Sequence, residues 1–585
     1  MSTLPGVTLN VLDGNLGIQP GSNERVMVVC GPSTGGTENT LYSFGDSTTA
    51  QTTLGYGKGV EALNYILEIG GGPVMYMPMT LDNAGGKSSV SHVGTGAMTC
   101  TVSFAPHVAI TISCTTGGTL GTAAFTFTLG SGAASAPVTS ASAWGTTGYR
   151  VPGTYCTVVF TTGTYVTADV YTISTLGAIA HAAGTGPAVP TITASPADDY
   201  NVLLTVTTAG ALGTSQFTYS LDNGWSLSVT SFSGSTSANV VSPGGGAYAI
   251  PNTGIVLTLS GTAVAGDTYQ FTTCGPSASN TNITSAFAAL ESTFLSQAIY
   301  SMGFIVNVNA SASAWATEAA TVQTAGTALF NAGVYTRWFT EVPTVGTITA
   351  SAGSVVVDSA DTDSVLTAQM ASVSAIRAVG GAGDCLLTSG VTGLSLRRSA
   401  SWVAAARAAS VEASEDLGDV GKGGVTGVVY IFRDENATPA LDAVGYTTLR
   451  KFPGVPGFYI TGAHTCTVTT SDYFALTNAR VVDRGCAIAR LNTLPLVNSK
   501  VPTTTRNGLS GVITEKKAQQ IEGKLDSALA TGLVDIDPAD AVAVSATVNR
   551  THNILADGQL IIAVAIQPFA YSKFITVNIG MAVQA

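Results

Sequence analysis

The residues able to do chemistry are few and scattered. Five histidines, His92, His107, His181, His464 and His552, carry the side chain best suited to proton transfer near neutral pH. Three of them fall in one β-rich stretch, and none stands in a recognisable triad setting. Asp535, Asp537 and Asp540 lie close together but lack the glycine and closing glutamate of a calcium loop. Gly31-Pro-Ser-Thr-Gly-Gly36 follows an apolar run of strand length, yet it lacks the Gly-Lys-Ser/Thr ending that cradles a phosphate. Eight cysteines (Cys30, Cys100, Cys114, Cys156, Cys274, Cys385, Cys466, Cys486) show no CxxC or zinc spacing and read as small buried apolar residues. Cys100, Cys114 and Cys156 share one segment, from which no pairing follows. The pattern predicts no catalytic residue, no metal and no cofactor, hence not an enzyme.

Composition points the same way. Only 10% of the 585 residues are charged, and mean hydropathy is +0.35. No apolar run reaches the roughly 18 residues of a membrane span, and residues 1–20 lack the basic start and apolar core of a secretory signal. A neutral Thr/Ser/Ala/Gly surface suits a subunit packed against copies of itself, made in a cytoplasm. The net charge is −12, but from Tyr446 to Asp526 ten basic residues (Arg450, Lys451, Arg480, Arg484, Arg490, Lys500, Arg506, Lys516, Lys517, Lys524) outnumber five acidic ones (Asp472, Asp483, Glu515, Glu522, Asp526). Scattered cations without interleaved aromatic residues do not suggest a nucleic-acid partner.

Residues 21–85 and 278–445 read as one discontinuous α/β domain. Val26–Cys30 is an apolar strand, Gly57–Ile69 a helix with Val60, Leu63, Ile66 and Leu67 on one face, and Val74–Met77 a second strand. Helix–strand alternation resumes near Thr284, with a strand at Phe304–Val308, a helix at Ala312–Asn331, a strand at Val334–Phe339, helices at Thr362–Val379 and Ser399–Ala409, and a strand at Gly427–Phe432. Between the halves, charge nearly vanishes and short Thr/Val/Phe strands alternate with Gly/Ser/Pro turns. Gly121–Gly132 matches Gly213–Gly224, and Gly163–Thr175 matches Gly261–Thr273. The offset predicts two tandem immunoglobulin-like sandwiches, 86–184 and 185–277, inserted into the α/β domain.

Residues 446–571 read as an α+β module, with a helix capped by Ser471 and Asp472, a helix at Thr514–Leu529, and long strands at 541–551 and 559–567. An arm follows at 572–585. It alternates strictly, with Ile575, Val577, Ile579, Met581 and Val583 on one face. Running to the last residue, it is expected to offer an edge to another chain. An N-terminal arm, 1–20, repeats the pattern with Val7, Leu9 and Val11.

The order of parts resembles the contractile tail sheath proteins of bacteriophages and related injection machines. The likeness rests on Leu4-Pro-Gly6; Val26-Met-Val-Val-Cys-Gly-Pro32 followed by Tyr42-Ser-Phe-Gly45; Phe452-Pro-Gly-Val-Pro-Gly-Phe-Tyr-Ile-Thr461; and Asn478-Ala-Arg-Val-Val-Asp-Arg484. It covers about residues 1–84 and 284–585, and the sandwich pair lies outside it. The resemblance implies a homo-oligomeric helical sheath in the virion tail, wrapped around a tube protein and joined to baseplate and terminator proteins. It implies that both arms complete sheets of neighbouring copies, and that a helix carrying Lys516, Lys517 and Lys524 faces the tube. A cell-surface adhesin or surface-layer protein is the alternative reading; the missing secretion signal and the interrupted α/β domain count against it.

Overall fold

The computed structural model describes residues 26–573, 575 and 576, less 71, 84, 107–108, 152–153, 177–178, 184–190, 223–235, 295–301, 352–353, 507 and 574. Met27–Gly31 is apolar at every position but its last, as a strand covered on both faces must be. It pairs in parallel with Val74–Pro78 on one side and Met302–Ile305 on the other. Arg337–Glu341 and Ala378–Gly381 extend the sheet in parallel, and Tyr42–Phe44 adds an antiparallel edge. Val28 and Cys30 point into one apolar layer with the helices Asn280–Phe294 and Ala312–Ala332. Met27 and Val29 point into the other, against Lys58–Gly70 and Ala400–Ser410. Each such side chain stabilises the fold by roughly 1.5–3 kcal/mol.

Element boundaries differ from the sequence expectation in several places. The stretch 362–379 is the helix Asp363–Met370 and then, after a turn closed by Val373 N–H on the Met370 carbonyl, the strand Ala378–Gly381. The strand expected from Val334 begins at Arg337. The helix expected to be capped at Ser471 and Asp472 begins at Leu476, because Phe474 N–H closes a turn on the Ser471 carbonyl and the bridge between His464 and Ala475 holds Ala475 extended.

In the insert the two repeats share one layout. Val170–Ile173, Ile110–Thr116, Ala124–Leu129 and Val138–Thr139 lie side by side in that order, as do Thr268–Cys274, Tyr200–Thr208, Gln216–Ser220 and Val240–Val241. Pairing does not divide at 184/185, however. Ile179–Ala183 and Thr191–Ala194 complete the first body by pairing with Val170–Ile173 and Cys156–Val159. The equivalent strands of the first repeat, Ser91–Val93 and Thr99–Phe104, lie instead on Thr268–Cys274 and Ile255–Ser260 of the second. A five-residue connection after Ile173 brings Ile179–Ala183 back beside its predecessor, so one body is nested inside the other. Ala105 N–H and Ala197 N–H bond the adjacent carbonyls of Gly254 and Thr253, which puts the two ends of the nested body side by side.

The helix Leu476–Thr493 connects the α/β domain to the C-terminal module. Its first half is buried and its last turns emerge. Arg480 donates to the Ala408, Val411 and Glu412 carbonyls at the end of Ala400–Ser410, where a cation also meets the negative end of that helix. Arg490 donates to the Ala332 carbonyl at 2.8 Å, over Gly333. There φ is +91°, and a Cβ would overlap the guanidinium.

Candidate assembly interface

Two places could carry function: the crevice at the carboxyl ends of the parallel strands and the C-terminal module. Numbered along the chain, the five parallel strands run 2-1-3-4-5. In open sheets of this kind ligands bind beyond the carboxyl ends, where the order reverses. Here the insert occupies that ground. Lys58, at the start of Lys58–Gly70, lies 3.3 Å from Asp199 of the insert and 3.2 Å from Glu341 at the end of Arg337–Glu341. Arg398 reaches Glu61 at 2.5 Å and Asp198 of the insert at 2.6 Å, all three buried. Burial alone would lower the pKa of the Arg398 guanidinium, but Asp198 and Glu61 outweigh it and raise that pKa. Burial raises the Asp198 carboxyl well above the usual range, against the opposing pull of Arg398. Leu394 and Leu396 of the α/β domain enter the apolar core of the insert. A cavity of about 80 Å³ remains between the two bodies, lined by Asn201, Asn309 and Thr347 among others. After Met27–Gly31, Tyr76 Oη donates to the Gly31 carbonyl, and a Cβ at Gly59 would come within 2.7 Å of the Pro32 carbonyl oxygen. That loop is packed against its helix and forms no phosphate cradle.

The candidate chemical residues do not converge. His92 stacks on Tyr269, His464 lies 3.2 Å from Asp442 and His552 3.0 Å from Asp557. Asp540 is buried against Arg484 and accepts from Ser414 N–H. No disulfide joins the described cysteines, and burial pushes the Cys100 thiol up to about 12. No group of three or more His, Cys, Asp or Glu among the described residues could hold a metal ion. No helix among them is long and apolar enough to cross a membrane.

The C-terminal module is built on the helix Glu515–Leu529 and a hairpin of two long strands. The helix buries Ala518, Ile521, Leu525 and Leu529. Ala541–Val548 pairs antiparallel with Ile562–Pro568, and no third strand joins them among the described residues. Ala541 and Ala546, with the half-buried Val544, Ile562 and Ile566, share a core with Val481, Leu525, Leu529 and Leu533. Ala543, Ser545, Thr547, Ala563 and Ala565 face outward. Arg550 spans Glu515 and Glu522, at 2.9 and 2.7 Å. These pairs hold the Glu515 carboxyl down at about 2 and raise the Arg550 guanidinium.

Lys516, Lys517 and Lys524 sit on this helix. Lys516 and Lys524 are exposed and Lys517 half-buried. Lys517 and Lys524 border a groove with Asn492, Thr493 and Leu496, beside which Leu491, Leu494 and Val497 stand exposed. Sequence reading missed that apolar ridge, because Leu491 and Leu494 continue the apolar pattern of a helix whose last turns leave the core. Ile575 is 79% exposed. Val7, Leu9, Val11, Val577, Ile579, Met581 and Val583 lie outside the described residues.

A family model described as "DUF2586, N-terminal domain" matches residues 4–464. No curated protein matches. Among solved structures, the chain is similar to the sheath tail protein of Listeria innocua, at 10% identity and a TM-score of 0.39, over 93% of this chain and 94% of that one. It is also similar to a chain of the anti-feeding prophage baseplate, at 12% identity and a TM-score of 0.35, over 53% of this chain and 76% of that one.

Proposed function

The chain belongs to the DUF2586 family, and on that premise we propose that it is a structural subunit of a contractile tail sheath. It polymerises helically around a tail tube by β-strand exchange and contracts to drive the tube through a host envelope. The observation that carries this reading is the terminal hairpin. Two long strands with no third strand among the described residues form a sheet that other chains can extend, and the sequence supplies two alternating arms of the kind the sheath resemblance calls for. The closed crevice of the α/β domain favours a structural role, since the insert fills the ground where such a sheet would receive a ligand. The two nested β-bodies serve as immunoglobulin-like outer decorations. Other partners are the tube protein, the baseplate and the tail terminator.

Magnitudes separate two kinds of contact. Ile575, Val577, Ile579, Met581 and Val583 would each contribute roughly 1.5–3 kcal/mol on burial, and each ladder hydrogen bond about 1 kcal/mol net. Such a junction holds while the polymer rearranges. Contacts from Lys516, Lys517 and Lys524 to a tube contribute about 0–1 kcal/mol each and can let go.

Electron microscopy of the purified chain tests the reading. Hollow striated tubes from the intact chain are expected, with folded monomers from a chain lacking Lys573–Ala585. Tubes of normal appearance from the truncated chain would refute strand exchange through this arm.

A further inference from the structure

We propose that Lys58 and Asp199 join in an isopeptide bond, with Glu341 as the proton carrier, and that this bond locks the β insert covalently to the α/β domain. The reaction is intramolecular and happens once per chain. It is independent of the sheath reading and can be tested without it.

The three side chains come from three separate parts of the fold. Lys58 opens the helix Lys58–Gly70, Asp199 directly precedes the insert strand Tyr200–Thr208, and Glu341 ends the sheet strand Arg337–Glu341. Lys58 Nζ lies 3.3 Å from Asp199 Oδ2 and 3.2 Å from Glu341 Oε2. Amine and carboxyl thus stand at the separation of a pre-positioned reacting pair, about 3–3.5 Å. The side chains are only 13%, 11% and 7% exposed, so bulk water competes little for the carboxyl. By contrast, the lysines that pair with Glu415 and Asp416, Lys422 and Lys573, are nearly half exposed. The neighbouring buried cluster of Arg398, Asp198 and Glu61 cannot react in this way, because a guanidinium does not give up its proton.

The hydrogen bonds around the two carboxylates separate their roles. Asp199 Oδ1 accepts from Gly275 N–H at 2.9 Å, a donor placed to hold the charge that grows on this oxygen as nitrogen attacks Cγ. Glu341 has both oxygens held, Oε1 by Trp402 Nε1 at 2.6 Å and Oε2 by Asn307 N–H at 3.1 Å. Such bonds favour the carboxylate form, which suits a group that takes a proton and returns it. Burial would lower the Lys58 pKa, but Glu341 and Asp199 outweigh it and raise that pKa. Before reaction the proton therefore rests on nitrogen, and bond formation waits on its transfer to Glu341. A slow step suffices where each chain reacts once.

The balance is that of a condensation. One ammonium proton passes to Glu341 Oε2, and the freed amine attacks Asp199 Cγ. The Cγ–Oδ2 bond breaks, and Oδ2 leaves as water with that proton and a second one from nitrogen. The third proton stays on the new amide, and Glu341 ends as the carboxylate it was at the start. All three residues line the cavity of about 80 Å³ between the insert and the α/β domain, which receives the water. The bond closes a loop across 141 positions of the chain and makes a joint that neither salt nor denaturant opens.

Intact-mass spectrometry on the full-length chain tests the bond. The mass should fall below that of the sequence by one water, about 18 Da, and digestion should release a branched peptide joining Lys58 to Asp199. Lys58→Arg and Asp199→Ala should each show the full mass of their own sequences. Asp199→Asn has ammonia in place of water to lose, so its mass should fall by about 17 Da instead. Glu341→Gln cannot carry the proton and should slow the appearance of the bond after refolding by about a hundredfold. Full mass in the intact chain overturns the proposal. So does a water loss that survives Asp199→Ala, a branched peptide running from Lys58 to Glu341, or formation that Glu341→Gln does not slow. Should a variant fail to fold, the mass and the branched peptide of the intact chain decide the matter alone.

Discussion

Asp483, on the helix that carries the C-terminal module, accepts from Arg337 Nε at 2.6 Å and from Arg377 Nη1 at 2.9 Å, and all three side chains are buried. Arg337 belongs to the parallel sheet and Arg377 directly precedes its last strand. One carboxylate therefore ties the module to the α/β domain. Removing it strands two buried guanidinium groups. Asp483→Asn should destabilise the chain by about 3–5 kcal/mol in urea unfolding, and should expose the Leu476–Thr493 helix to limited proteolysis. A loss under about 1 kcal/mol, the range of an exposed pair, would show that this tie does not hold the module.

The nesting of the β-bodies predicts which excision the insert survives. Ala105 and Ala197 are anchored on neighbouring carbonyls, so deleting 106–196 and joining the ends through two glycines leaves the outer body every strand it uses. Deleting 86–184, one sequence repeat, removes Ser91–Val93 and Thr99–Phe104 from the outer body. The first variant should be soluble with one cooperative melt, and the second should aggregate. Removing 86–277 should also fail, because it uncovers Leu394, Leu396, Arg398 and Glu61. Equal solubility of the first two variants would contradict the pairing described.

Much of this architecture was legible in the sequence, for physical reasons. Val26–Cys30 and Val74–Met77 are apolar without alternation because helices cover both faces of their sheet. The repeat was legible because equivalent strands keep equivalent side chains, as Phe125 and Phe217 do. The exchange of Thr99–Phe104 for Thr191–Ala194 was not, since a strand's pattern records burial but not which of two similar bodies buries it. The ionic joint of Lys58, Arg398, Asp198 and Glu341 was equally hidden, its members being up to 340 positions apart in the chain. The open edge of the hairpin could be expected from the strands. The bonds that Ala546 N–H and Val548 N–H donate to Asp526 and Glu522 were not, since they depend on where those carboxylates sit once the helix packs.

Glu318 gives the joint a pH dependence. It is fully buried with Oε2 accepting from Asn307 at 2.8 Å. Burial raises its carboxyl from 4.5 to about 7, against the lowering effect of hydrogen bonds from Asn307 and Asn309. Below pH 4.5 both folded and unfolded chains hold the proton, so nothing is lost. Between 4.5 and 7 the unfolded chain releases it and the folded chain does not, so stability falls as pH rises. Above 7 the full cost, about 3 kcal/mol, is present. Glu318→Gln should match the parent at pH 4.5, exceed its stability at pH 8 by about that amount, and lose the slope between. A variant no more stable at pH 8 than its parent would show that Glu318 is not held protonated by burial.

The groove beside the Glu515–Leu529 helix predicts two separable effects on tube binding. Lys516 and Lys524 are exposed, Lys517 is half-buried, and Leu491, Leu494 and Val497 form an apolar ridge next to the groove. Changing all three lysines to glutamate should leave the melt nearly unchanged, since exposed substitutions usually stay within about 0.5 kcal/mol. It should weaken co-sedimentation with the tube protein by about tenfold at low salt, the scale of a few exposed pairs, and the deficit should shrink in high salt as charges are screened. Leu494→Ser should weaken the same contact with a deficit that salt does not reduce, because apolar burial is not an interaction between charges. Sheath-to-sheath assembly should survive both changes, since neither touches Ile562–Pro568. If the lysine variant binds the tube normally while the leucine variant does not, the ridge is the tube contact and the lysines are its solvated border. Normal binding by both would move that contact off this helix.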